Sequence, residues 1–259
     1  MIESRGAGKR IMRLTQRCLL FLGVFLTLLI FLPSAGSQGK ADNSPDWFYP
    51  SWAAVAKNNK PIIVRDTDSA LGRYSLMTKE IGLKDLARIH GHLCDGLVIA
   101  FLEINAVLER LFPEGVVDRT DLRAVSKNGP CWIDTVAMMT GARINFQTLR
   151  IDNSIGDGFV VQRISTNEAY IVHLKPGIFP EDQAILENKI RRLRSEGEPV
   201  AADDIDAVEK MADQLSEKLL NSPPDDILEI RFLPQYEFKF DDLFGERGDI
   251  INKTMPRKK

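Results

Sequence analysis

The chain has 259 residues, 44% of them hydrophobic, and a formal net charge of −2. That is enough apolar material for one sizeable domain with extensions or for two small ones. The near-neutral balance excludes a nucleic-acid footprint: the basic residues are dispersed, and "KIRRLR" and the final "RKK" read as solvated faces rather than binding patches.

Residues 1–37 form a segment of their own. Arg5, Lys9, Arg10, Arg13 and Arg17 precede a 15-residue apolar run, 18–32, and "PSAGSQ" then offers small residues at Ala35 and Ser37. This is the shape of a secretory signal peptide; an uncleaved anchor is the alternative, although the run is short for a membrane span. Cys18 stands at the start of the run, where a lipobox cysteine would not be. The basic end stays inside, so the body is expected to be exported, either periplasmic or anchored facing the periplasm, with no other membrane association.

Residues 38–80 read as a polar linker and an N-terminal extension, with a short helix in "WFYPSWAAVAKNN" and a short strand in "KPIIVRD". A short helix at 82–89 leads into "HGHLCDG". From Asp95 to Phe112 the residues Leu97, Ala100, Phe101, Ile104, Val107, Leu108 and Leu111 recur at helical spacing, which predicts a long helix with one buried face. "DLRAVS" (121–126) reads as a strand, "NGP" as a turn, and 131–139 as a mostly apolar helix ended by Thr140-Gly141. Strands follow in "TLRIDN", "GFVVQRIS" and "EAYIVHL", separated by turn signals. Helices at 180–196 and 203–220 carry acidic first turns and i,i+4 charge pairs, and are expected to build a lobe of their own. "ILEIRFLP" (227–234) is the last strand, and 241–259 is a polar tail. The mix predicts an α+β domain over 81–240, a mixed sheet packed with helices.

Outside residues 1–37 the chain has five histidines and cysteines, and His90, His92 and Cys94 fall within five positions. Gly91 permits a sharp turn between the histidines, so two or three of these side chains can converge. Cys94 and Cys131 each stand at the start of a predicted helix, where free N–H groups and the helix dipole favour a thiolate. Together they make a tetrahedral S/N donor set suited to a divalent metal ion, zinc above all. In an oxidising compartment a Cys94–Cys131 disulfide is the rival reading, but it leaves the histidines unexplained. Asp134, one helical turn after Cys131, is the candidate catalytic residue, as a general base or as a carboxylate orienting a histidine ligand. A surface or capping role for it stays open. His173, Trp132 and the Met138-Met139 pair read as structural, and no nucleotide-binding or covalent-haem motif is present.

"HGHLCDGLVIAFLEINAV" resembles the HGHxCPG signature of the FmdE family, whose name derives from formylmethanofuran dehydrogenase. "NGPCWIDTVAMMTG" is similar to that family's second block, on which Cys131, Asp134, Thr140 and Gly141 fall, and "LLNSPPDDILEIRFL" is weakly similar to its closing segment. The resemblance spans roughly residues 80–235. It implies an α+β fold and a metal, usually zinc, on the His/Cys cluster, with His90, His92, Cys94 and Cys131 as the ligands carried over. His92 is favoured over His90 where only one binds. The family is named for its gene neighbourhood, so the name implies no dehydrogenase activity. Three departures stand out. The signature proline is Asp95 here, which is expected to cap the long helix rather than bind metal. "ARINFQTL" replaces a glycine-rich stretch after Thr-Gly, and no cysteine follows residue 131, where many members carry a zinc finger.

The expected protein is thus an exported, FmdE-like metal-binding protein with a mononuclear site that activates water or a small molecule. The alternative is an accessory or structural module with a closed metal site or a disulfide. Its expected partners are a metal ion and an unidentified small molecule, not nucleic acid, and a homodimer is left open.

Overall fold

The computed structural model describes residues 46–69 and 71–240, together with Lys253. The signal-peptide reading of residues 1–37, the first part of the linker and nearly all of the polar tail lie outside the described residues.

Proline and turn residues restrict the first element, α1, to Ser51–Ala54. Strand β1 (Ile62–Arg65) alternates buried and exposed residues, as a strand with one covered face should. It pairs antiparallel with β2 (Lys79–Ile81). Helix α2 (Leu83–His90) has Gly82 before its first residue, and Asp85 accepts from the Gly82 backbone N–H at 3.0 Å. The long helix α3 (Asp95–Leu111) follows after a joint of only four residues. It leads to β3 (Val116–Asp118), which lies parallel to β1. The sheet order is β2-β1-β3.

The second sheet starts with β4 (Leu122–Ser126), passes through α4 (Pro130–Thr140), and returns parallel as β5 (Leu149–Ile151). Strands β6 (Gly158–Arg163) and β7 (Ala169–Leu174) then add antiparallel neighbours. Two helices, α5 (Glu181–Glu196) and α6 (Ala202–Asn221), and a single turn, α7 (Pro224–Ile227), precede β8 (Leu228–Phe232), which closes the sheet in the order β5-β4-β6-β7-β8. Both sheets mix parallel and antiparallel pairs, so the chain is α+β with mixed sheets.

Two features depart from the sequence reading. Helix α3 has no single buried face: 13 of its 17 residues are buried, because α4, α6 and the β6–β7 surface enclose it. A helix that is apolar nearly all round has to be enclosed in this way. The late helices form no lobe of their own, since α6 packs on α3 and sends Leu215, Leu219 and Leu220 into the common core. The same core takes Tyr49, Ala53, Ile62 and Val64 from the N-terminal extension. Strands β2 and β3 are additions to the sequence reading; each has three residues, too few for a period to register.

Candidate metal centre

The joint between α2 and α3 builds one half of the site. His90 is the last residue of α2, and Gly91 ends the helix at φ 110°, a backbone state that side chains other than glycine adopt only with strain. Cys94 sits at the N-cap of α3. The Leu93 N–H donates to the Phe48 carbonyl at 2.9 Å, which ties the joint to the N-terminal extension. Helix α4 supplies the other half, with Pro130 at its first position, a place where a missing N–H costs nothing, and Cys131 directly after it. Gly141 at φ 73° terminates α4, where an added Cβ would stand 2.8 Å from the Arg119 carbonyl. The Thr-Gly pair therefore fixes how α4 docks.

These elements bring three donor atoms together. Cys94 Sγ and Cys131 Sγ are 3.5 Å apart, and His90 Nε2 lies 3.8 Å from the first and 3.6 Å from the second. Two sulfurs at about 2.3 Å and a nitrogen at about 2.0 Å from one tetrahedral zinc would stand about 3.5–3.8 Å apart, so the donor set fits such an ion. Both cysteines are free, and the sulfurs are far beyond the bonded separation of about 2.05 Å. His92 is exposed beside them: its ligand atom lies within 4.8 Å of those of His90 and Cys94, and its ring centroid is 5.3 Å from that of His90. The sequence ranking put His92 ahead of His90; in the structure His90 is the histidine that touches both sulfurs.

Asp134 Oδ2 lies 2.8 Å from His90 Nδ1. An ionised carboxylate only accepts, so Nδ1 carries the proton and Nε2 turns its lone pair towards the sulfurs. The His90 side chain is almost enclosed, whereas Asp134 keeps an exposed edge. The two thiols share protons unequally. The contact with Cys94 pulls the Cys131 thiol down, while the contact with Cys131 and then burial push Cys94 up. Two sulfurs this close hold one proton tightly unless a cation replaces it.

Asp95 does not occupy the cap position, which is filled by Cys94. It is the first helical residue, and its Oδ1 accepts from the Gly96 N–H at 2.7 Å. Its Oδ2 accepts from Gln183 Nε2 at 2.6 Å, which links α5 to the head of α3. The sequence reading missed Gln183, because nothing local marks a glutamine in the first turn of a charged helix as fully buried. It also missed Glu103, whose signal was present: a lone acid inside "LVIAFLEINAVL". A groove of about 330 Å³, lined in part by Ile62, Leu108 and Phe112, lies towards the other end of α3. It contains neither a histidine nor a cysteine, and so the donor chemistry, not the cavity, marks the functional site.

Fold and cluster together define an α+β protein with a His/Cys group that could hold a metal ion. The family model described as "FmdE, Molybdenum formylmethanofuran dehydrogenase operon" matches residues 89–229, more than half of the chain. The chain belongs to the FmdE family. Among solved structures, it is similar to an FmdE-like protein of tungsten formylmethanofuran dehydrogenase from Syntrophus aciditrophicus, at 17% identity and a TM-score of 0.37, over 59% of this chain and 72% of that one. Comparison with curated proteins gave no match.

Among the described residues no helix is long and apolar enough to cross a membrane.

Proposed function

We propose that this protein holds one divalent metal ion, zinc by the softness of its donors, on Cys94, Cys131 and His90, and presents it to a small molecule. The observation that carries this reading is the triangle of 3.5, 3.6 and 3.8 Å between the three donor atoms, which matches the edges of a tetrahedral site. Three protein donors leave a fourth direction on the solvent side, next to His92. A zinc ion in such a site lowers the pKa of a bound water or polarises a carbonyl oxygen. Asp134 fixes the His90 tautomer and ring direction, as an outer carboxylate does for a histidine ligand. The two helix N-termini favour the anionic sulfurs.

A second reading is favoured by the nearness of His92. If His92 swings in as a fourth donor the site is closed, and the protein is an accessory or structural module. The reading as an exported protein rests on the basic and apolar N-terminal residues alone.

The test is metal analysis of the full chain purified without chelator. About one zinc per chain is expected, and Cys94→Ser and Cys131→Ser should each lose most of it. Thiols are counted in the denatured, unreduced protein in parallel. Two reactive thiols outside residues 1–37 agree with the metal site; none indicates a Cys94–Cys131 disulfide. Stoichiometric metal in both serine variants overturns the assignment.

A further inference from the structure

Three buried polar side chains along the first half of α3 have unmet hydrogen-bonding atoms. Trp132 Nε1, both carboxyl oxygens of Glu103 and Gln183 Oε1 are buried without a protein partner. Glu103 and Gln183 are both fully buried. Polar groups in that position are rarely left unmatched in a folded protein.

The placement of these groups is not scattered. Gly96 and Glu103 are seven residues apart on α3, so they share a face two turns apart. Gly96 is the point where α3 meets α4: a Cβ there would stand 3.0 Å from Cys131 Sγ and 3.3 Å from the Trp132 ring. Trp132 and Glu103 therefore flank one stretch of α3, next to a sulfur of the metal centre. Lys127 Nζ lies 3.5 Å from the centroid of the Trp132 ring and pairs with Asp157. Lys127 and Asp157 are also the charged side chains that act on Glu103. The Lys127 side chain is 22% exposed and that of Asp157 is 75% exposed, which sets them at the rim. On the other flank Gln183 is held to Asp95 through its nitrogen, which leaves its oxygen as an acceptor.

We propose that this stretch of α3 borders a subsite for a small monocarboxylate, bound by the Trp132 indole N–H and the Glu103 carboxyl under the Lys127 ammonium. The indole and the ammonium only donate. Burial pushes Glu103 well above the ordinary carboxyl range, so it too donates through its O–H. An acceptor-rich anion matches three donors; an amine does not. The proposal deepens the metal reading by placing the subsite beside Cys131, but binding of the carboxylate does not itself need the ion.

The indole resonances provide the test, since the chain has three tryptophans, Trp47, Trp52 and Trp132. The full-length protein, with its metal content measured on the same sample, is titrated with sodium acetate while the three indole N–H signals are followed by NMR. Trp132→Phe assigns its own signal. The Trp132 signal alone is expected to shift and saturate, with a dissociation constant of about 1–10 mM, a strength suited to so small a ligand. Methylammonium chloride at equal ionic strength should leave it unmoved. Lys127→Met and Glu103→Gln should each weaken acetate binding by about tenfold, the loss of one charge-assisted contact. Circular dichroism confirms that each variant is folded. No saturable shift up to about 100 mM, a shift shared by all three indoles, or a shift unaffected by both variants overturns the subsite, and the buried groups are then matched by water alone. A saturable shift in a sample without metal keeps the subsite and removes the metal reading; stoichiometric metal without the shift does the reverse.

Discussion

Gly96→Ala tests whether the spacing of α3 and α4 sets the geometry of the centre. A Cβ at this position would stand 3.0 Å from Cys131 Sγ, 3.3 Å from Cys131 Cβ and 3.3 Å from Trp132 Cζ3. Non-bonded carbon contacts are comfortable at about 3.5–4.0 Å, so the head of α4 has to retreat by about 0.5 Å. Metal–ligand distances tolerate only about 0.2 Å, and Cys131 moves with the helix. The fold itself suffers less. Overpacking costs about 1–3 kcal/mol, while alanine in a helix interior recovers about 0.5–1 kcal/mol over glycine. The net expectation is a loss of about 0–2 kcal/mol in stability and a fall of about 10–100-fold in metal affinity, comparable to disturbing a ligand's outer support. Affinity is read by competition with a chromophoric chelator and stability by denaturant unfolding of the metal-free protein. Unchanged affinity in a folded Gly96→Ala protein would refute the argument that this contact fixes the sulfur position.

Asp134→Ala should keep the fold and lower metal affinity by about 10–100-fold, because His90 loses the group that holds its tautomer; equal affinity in the chelator competition would show that Asp134 supports nothing at the centre. Glu103→Gln should change how stability depends on pH. The folded carboxyl titrates above the unfolded one, so Glu103 costs nothing below the unfolded pKa, and its cost grows by about 1.4 kcal/mol per pH unit from there to the folded pKa. The glutamine variant should therefore gain on wild type between pH 4 and pH 7; parallel unfolding curves across that range contradict the buried-acid account. Asp95→Ala should cost about 1–2 kcal/mol, since Gln183 Nε2 keeps only its 3.0 Å bond to Glu187, and zinc content should be unchanged. Loss of metal from a folded Asp95→Ala protein would place Asp95 among the ligands.

Much of this protein was readable from short-range pattern. The α+β mixture, the span of α3, the turn at "NGP" and the strands at 158–163 and 169–174 follow from periodicity and turn chemistry, which act within a few residues. The candidate donors could be named because histidine and cysteine are rare in the chain and three of them crowd into "HGHLC". Spacing could not say which atoms meet. That depends on Gly91 reversing the chain at the end of α2, and on α4 docking at Gly96 so that Cys131, 37 positions from Cys94, arrives at 3.5 Å. The pairing of Asp134 with His90 across 44 positions, and the burial of Gln183 and Glu103, are likewise products of packing. Local sequence fixes backbone states and helix faces, because those energies are settled between near neighbours. Only the tertiary structure brings groups dozens of residues apart within hydrogen-bond or ligand distance, because that depends on how whole elements are enclosed around α3.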